Sequence, residues 1–267
     1  MPSERDKATS TGQTGWARAR RWAIPSLTTL AILVVWELVV DMGLVPNFLL
    51  PSPVQVVQAF ARDLRLLAMH SLVTLEEAAL GLVLGCALGF VFAVLMDRFE
   101  GLHLALDPLL TISQTVPTVA IAPLLVLWLG YGLMPKVVLV ILTTFFPVAV
   151  SLLSGFQSVD PDMIDLMRTM QASPAQIFWQ VKLPAAADQF FSGLRISATY
   201  AIVGAVIAEW LGGFSGLGVY MTRVRKSFSY DRMFAVIVLI SALSLGLMAL
   251  VDALQSICMP WKRAERK

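Results

Sequence analysis

Two cysteines, two histidines and a charged fraction of 14% are all that 267 residues offer of the groups that carry most polar chemistry. Each scarcity excludes something. Cys86 and Cys258 both fall inside apolar runs, so no disulfide framework and no Cys-x-x-Cys metal or redox motif is expected. His70 and His103 sit at opposite ends of one apolar stretch, about a bilayer apart, and cannot share a site. A membrane-embedded enzyme would need acids, bases or metal ligands gathered at one depth, and none are so gathered. No phosphate-binding Gly-x-x-x-x-Gly-Lys-Ser/Thr loop occurs, so the chain has no means of hydrolysing ATP itself, and no cofactor or nucleic-acid partner is expected.

What is present is apolar. Hydrophobic residues make up 57% of the chain, and the mean hydropathy is +0.76. A soluble domain of this length does not reach such values, so the fold class expected is an all-α integral membrane protein.

In chain order, residues 1–21 form a polar arm ending in Arg18, Arg20 and Arg21. The region 22–261 holds about six transmembrane helices, and 262–267 is a short basic tail. The run from Trp22 to Val40 is too long for a signal-peptide core and has no Ala-x-Ala site after it, which predicts an uncleaved first span. After Leu50-Pro51-Ser52-Pro53, the residues Val54, Val57, Phe60, Ala61 and Leu64 recur at helical spacing and predict an amphipathic helix on the outer surface.

The second span is expected over Leu72–Met96. Its Gly81, Gly85 and Gly89 mark a close helix contact, and Glu76 and Glu77 stand at its outer interface. The third, Leu104–Leu129, carries Ser113, Gln114, Thr115, Pro117, Thr118 and Pro123 at membrane depth, so it should face the bundle interior. Gln114 and Thr118 lie four apart on one helical face. Met134–Leu153, Leu194–Leu211 and Met233–Met259 complete the set, with Glu209 near the outer end of the fifth.

Gln114, Thr115, Thr118 and Glu209 are the candidate pathway residues. The first three donate and accept hydrogen bonds without fixed charge, and no Lys or Arg falls in the inner half of an expected span. Such a path suits a neutral or weakly basic heterocycle better than an anion.

Between the fourth and fifth spans, residues 158–184 form a polar island that reads as two short helices with a break. Asp160 caps the first, Pro161 opens it, and Met163, Ile164, Leu166, Met167 and Met170 share a face. Ser173 starts the second, with Pro174 inside and Gln176 in capping-box position; Ile177, Phe178 and Val181 share a face, and Pro184 is expected to end the helix. Such a pair either lies in the lipid interface or docks into another protein's groove. Asp160, Asp162 and Asp165 outnumber Arg168 and Lys182, and this favours docking.

Of the Lys and Arg residues, thirteen fall on the side of this island and of both termini, against seven on the other side, which predicts cytoplasmic termini.

The island resembles the cytoplasmic EAA loop of binding-protein-dependent ABC importer permeases. Val181-Lys182-Leu183-Pro184 fits the end of that pattern, Asp165 takes the Glu place, Leu166 and Met167 replace the two Ala, and Gln171 stands where Gly is usual. Pro117 to Pro123 with Trp128-Leu129-Gly130, Phe145-Phe146-Pro147, and Ala208-Glu209-Trp210 with Ser215-Gly216-Leu217-Gly218 are similar to the nitrate, sulfonate, taurine and thiamine-precursor branch.

The resemblance implies a type I ABC importer permease fold with a cytoplasmic helical coupling loop, in a bacterial inner membrane. The subunit would work as a homodimer with a cytoplasmic ABC ATPase dimer and an extracytoplasmic solute-binding protein. It further implies that Asp165, Leu166, Met167, Met170, Gln171, Ile177, Phe178, Leu183 and Pro184 couple to the ATPase. The run Ser113–Pro117 and the stretch Ala198–Trp210 look most like permeases for a thiamine pyrimidine precursor, with nitrate, sulfonate or taurine as the alternative set. A channel or membrane enzyme is the alternative of another class, and a channel would leave the docking loop unexplained.

Overall fold

The computed structural model describes residues 4–46 and 48–260, with side chains from residue 23 onward. The charged side chains of the N-terminal arm and the tail at 262–267 lie outside the described residues.

Helix α1, Glu4–Asp41, begins well before the expected first span, and its apolar part is Ala23–Asp41. That part is almost wholly uncovered by the rest of the chain. It touches the bundle through Trp36, whose ring centroid lies 5.7 Å from that of Phe234.

Helix α2, Pro53–Arg62, is closed by a full capping box in which the Ser52 hydroxyl accepts from the Gln55 N–H and the Gln55 side chain accepts from the Ser52 N–H. It buries Val56 and Ala59 against Ala235, while Val54 and Val57, on the face expected to be apolar, are exposed. Those two side chains are turned away from the bundle.

Three helices make the core: α3 (Leu64–Arg98), α6 (Leu133–Gln157) and α9 (Leu183–Gly212). The glycine stripe of α3 lies against α6 in matched order, Gly81 on Val137 and Val140, Gly85 on Ile141 and Thr144, Gly89 on Phe145 and Val148. A Cβ at any of these positions would overlap the facing helix, so the stripe serves the close packing read from its spacing.

Numbers that rise together mean that α3 and α6 run parallel. The chain between them must therefore return across the layer, and this task falls to α4 (Glu100–Thr115) and α5 (Thr118–Leu129). Against α9 the order reverses, Gly155 facing Ala186 and Gln189, and Gly193 facing Pro147 and Ser151. Among the described residues five helices are long and apolar enough to span a membrane, six if the bent α4–α5 pair counts as one span. No strand occurs among the described residues.

Two expectations about helix continuity need correction. The third span is not one helix: α4 and α5 meet at 97°, broken at Val116–Pro117. Pro117 lacks the N–H that would continue α4 and forces Val116 into extended backbone. Gln114 and Thr118 are on different helices and share no face.

Conversely, Pro184 does not end the loop. It sits in the first turn of α9, and helix runs unbroken from Pro174 to Gly212 through a π turn at Phe178–Lys182. A proline ring normally strikes the carbonyl one turn back, and the extra residue of a π turn opens that turn, with Leu183 N–H bonded to Phe178 O. The fifth span thus begins eleven residues before Leu194. It is followed by α10, Leu217–Lys226, and α11, Tyr230–Cys258.

Candidate functional site

The island is built as its caps require. Helix α7, Pro161–Thr169, starts at Asp160, whose carboxylate accepts from the Asp162 N–H at 3.0 Å. It ends in a reversal at Gln171, whose φ of +59° is the left-handed conformation that glycine adopts without strain. The Gln171 and Ala172 N–H groups bond back to Arg168 O and Met167 O, closing the turn.

Helix α8, Pro174–Ile177, opens with the expected capping box between Ser173 and Gln176. The knob is anchored, not loose. Lys182 Nζ donates to both Asp97 carboxylate oxygens at 2.8 and 2.9 Å, tying it to the end of α3. Phe178 packs on Phe156 with ring centroids 5.5 Å apart and the planes tilted by 58°, and Leu183 joins the same core cluster.

This division sorts the expected coupling residues. Ile177 is buried, and Phe178 and Leu183 pack inward, so they hold the knob in place. Asp165, Leu166, Met170 and Gln171 are exposed, with Met167 half-buried beside them and Met163 and Trp179 adding apolar surface. Asp165 also pairs with Arg168 at 3.0 Å in full exposure, an ion pair that contributes little to stability.

The pathway candidates separate. Gln114 and Thr115 lie at the C-terminal turn of α4 and bond to their own helix, at Leu110 O and Ile112 O; Thr118 opens α5 across the break. Side chains there return hydrogen bonds to carbonyls that an interrupted helix would leave open.

Glu209 is elsewhere, in a sealed network at the C-terminal end of α9, and is only 1% exposed. Its Oε1 accepts from the Thr74 hydroxyl at 2.7 Å and its Oε2 from the Gly218 N–H at 2.5 Å. The Thr74 oxygen in turn accepts from the Leu217 N–H, and His70 Nδ1 accepts from the Gly216 N–H, both at 2.9 Å. Three successive N–H groups at the start of α10 are thus satisfied by α3 and α9, and the partial positive charge of that helix end faces the Glu209 carboxylate.

Glu77, 2% exposed, lies within electrostatic reach of Glu209 and is neutralised by Lys136, 4% exposed, from the first turn of α6. Glu77, expected at the interface, is thus buried on a counter-ion and not in contact with solvent. The signal for the pair was legible: one acid and one base of opposite sign, each in an apolar run, at the outer ends of two spans.

The network extends outward. Tyr220 of α10 donates to Asp63 at 2.6 Å, and Arg232 approaches the same carboxylate at 3.3 Å. Burial and the adjacent Asp63 carboxylate hold the Tyr220 phenol above its ordinary pKa.

A second polar group went unnoticed in the sequence because Arg195, at the first turn of the expected fifth span, was counted with the charges of the inner side. It lies inside α9, with its Nη2 donating to Gln255 of α11 at 2.7 Å and its Nε 2.9 Å from Asp252. Gln255 Nε2 donates onward to Asp188 at 3.0 Å. The statement that no arginine occupies the inner half of a span does not hold.

Five or six helical stretches long and apolar enough to cross a membrane among the described residues, with a capped polar knob between two of them, make a multi-pass membrane protein. Residues 81–260 match the family described as binding-protein-dependent transport system inner membrane component, and the chain belongs to it.

The chain is 36% identical over 242 residues to the formylaminopyrimidine transport permease protein of Halalkalibacterium halodurans, covering 90% of this chain and 96% of that one. To the taurine transport system permease protein of Escherichia coli it is 29% identical over 253 residues, 92% of each. The inward-facing MetNI methionine ABC transporter is similar at a TM-score of 0.65 and 18% identity, over 73% of this chain and 97% of that one, a likeness of fold. This is an ABC importer permease of the nitrate, sulfonate, taurine and thiamine-precursor branch, a multi-pass inner-membrane protein.

Proposed function

We propose that the chain forms, with a second copy, the membrane pathway of an importer for a thiamine pyrimidine precursor, driven by a cytoplasmic ATPase dimer and supplied by an extracytoplasmic binding protein. The observation that carries the coupling role is the anchored knob with an exposed apolar face. Lys182, Phe178 and Leu183 fix it to α3 and α6, while Leu166, Met167 and Met170 with Asp165 and Gln171 remain available to a partner's cleft. A knob so held transmits a displacement to the spans, whereas a floppy loop would absorb it. Pro184, in the first turn of α9, keeps knob and span in one helical unit.

In this reading both termini and the knob face the cytoplasm. Gln114, Thr115 and Thr118, at the α4–α5 break, line the path, and Glu209 shapes its outer end.

Putting a charge on the docking face tests the coupling. Met167→Asp buries an unpaired carboxylate in the complex, a penalty of about 3–5 kcal/mol. The ATPase should no longer copurify with this variant or with Asp165→Arg. Retained ATPase and full uptake in both would refute the assignment.

The pyrimidine reading is supported by the higher identity to the formylaminopyrimidine permease than to the taurine one. Uptake by the reconstituted complex of a labelled aminopyrimidine, compared with taurine and nitrate, decides between them. Transport of the anions alone would reject the solute and leave the importer standing.

A further inference from the structure

Asp188, Ser192, Arg195 and Thr199 follow one another on α9 at spacings of four, three and four, so they form one stripe along one face of the helix. On α11, Asp252 and Gln255 meet this stripe, joined to it by the Arg195–Gln255, Arg195–Asp252 and Gln255–Asp188 contacts. The stripe lies well inside the membrane. Arg195 is twelve residues past Leu183, roughly 18 Å along the helix. Its neighbour Gly193 packs on Pro147 and Ser151, while Gly89 of α3 packs on Phe145 and Val148, so Arg195 stands level with the middle of the apolar run of α3.

The stripe is also open. The Arg195 and Asp252 side chains are 37% and 51% exposed, and Ser192 and Thr199 are exposed. The two hydroxyls bond to their own helix, at Asp188 O and Arg195 O.

Charged groups facing lipid at such depth are strongly disfavoured, so an open ion pair there faces water or protein. The centre of a contact between two copies of the chain is depleted of carboxylates, and Asp252 is an exposed one. Water remains. We infer that the groove between α9 and α11 lines the inner part of the solute path, and that it takes a small solute carrying both hydrogen-bond donors and acceptors.

The groove offers a guanidinium, carboxylates, a carboxamide and hydroxyls within a few turns of helix, so either kind of group on a heterocycle finds its complement. Arg195 is already engaged by Asp252 and Gln255 and is not a free counter-ion for nitrate or a sulfonate. The choice of solute deepens the pyrimidine reading and rests on it; the water-lined groove does not.

The test therefore has two arms, both on the assembled transporter in proteoliposomes with Cys86 and Cys258 replaced by Ala. In the first, Ser192→Cys and Thr199→Cys should react with a charged, water-soluble thiol reagent at least tenfold faster than Leu245→Cys, which lies on an exposed apolar part of α11 near its middle. Equal rates at the three positions overturn the groove. In the second, the exchange Arg195→Asp with Asp252→Arg keeps an ion pair between α9 and α11. Thermal stability should return to near that of the parent while the KM for aminopyrimidine uptake, at saturating binding protein, rises about tenfold. Recovery of stability together with an unchanged KM would make the pair a staple between helices and overturn its place on the path.

Discussion

The two ends of α9 solve opposite problems. At the outer end Glu209, Glu77 and Lys136 are sealed, and each charge meets a specific partner, a helix N-terminus for one acid and an ammonium for the other. At the inner end the ions are open or half-open, Arg168 with Asp165 and Lys182 with Asp97, and the apolar side chains face outward. The difference teaches which end is built to stay and which to be met. Sealed ion pairs are unforgiving of any loss but hold helices in one register, whereas an anchored knob with a bare face leaves the surface that the proposed coupling to an ATPase requires.

The comparison is broken most severely at Lys136. Lys136→Met leaves the Glu77 carboxylate buried without its counter-ion, and the loss should be about 3–5 kcal/mol, seen as a large drop in melting temperature in detergent or as failure to accumulate. The double variant Glu77→Leu with Lys136→Met removes both charges and should recover most of that stability. If the single variant melts like the parent, the outer end is not sealed in the sense argued. Exchanging Asp165, the exposed acid of the knob, for Asn should by contrast move the melting temperature little, since the pair it forms is fully solvated.

Gly216 comes next. Its φ is +116°, and a Cβ there would fall on the Glu209 carboxylate. Gly216→Ala should lose about 2 kcal/mol or more, by combining backbone strain with displacement of the carboxylate. The readout that separates this from a general weakening is protection of the Gly218 amide, which donates to Glu209. Its hydrogen exchange should accelerate far more than that of core amides such as those around Leu152.

Much of this was legible because it depends on neighbours in sequence. The caps at Asp160 and Ser173, the prolines just inside both knob helices and the glycine stripe of α3 are local rules that the tertiary structure had no cause to override. The failures were of two kinds. Proline was read as a stop at Pro184, where a π turn let the helix pass, and as a mere interruption at Pro117, where it turned the chain through 97°. Whether a proline bends, breaks or is absorbed depends on the packing of the turn before it, and one-letter spacing does not carry that.

The other failures concerned distance. Glu77 meets Lys136 59 positions away, and Arg195 meets Gln255 60 away. Nothing local says that an acid near a span's end is buried instead of wet. The α9–α11 stripe was hidden by the first kind of error, because a span starting at Leu194 leaves Asp188 and Ser192 outside it.

The smallest effect compares the turns themselves. Both ends of α9 use a left-handed backbone angle, but the outer one falls on Gly216 and the inner one on Gln171, where the loop pattern of the family usually has glycine. A side chain in that conformation is disfavoured by roughly 1–2 kcal/mol against the right-handed alternative, and glycine removes the penalty. Glycine also widens the unfolded ensemble, which returns part of the gain, so Gln171→Gly should stabilise by about 0.5–1 kcal/mol.

The direction is opposite to that at Gly216, and this makes the pair informative: alanine at the outer turn loses stability, glycine at the inner turn gains it. Gln171 is exposed and its amide bond to Arg168 O uses only backbone, so no side-chain contact is sacrificed. The gain should appear as a rise of a few degrees in the melting temperature of the free permease, if unfolding of the knob contributes to the observed transition. Hydrogen exchange at the Gln171 and Ala172 amides reads the same change without that dependence, and should slow several-fold. Faster exchange at both amides in the glycine variant would mean that the Gln171 side chain, and not the turn geometry, holds the two knob helices together.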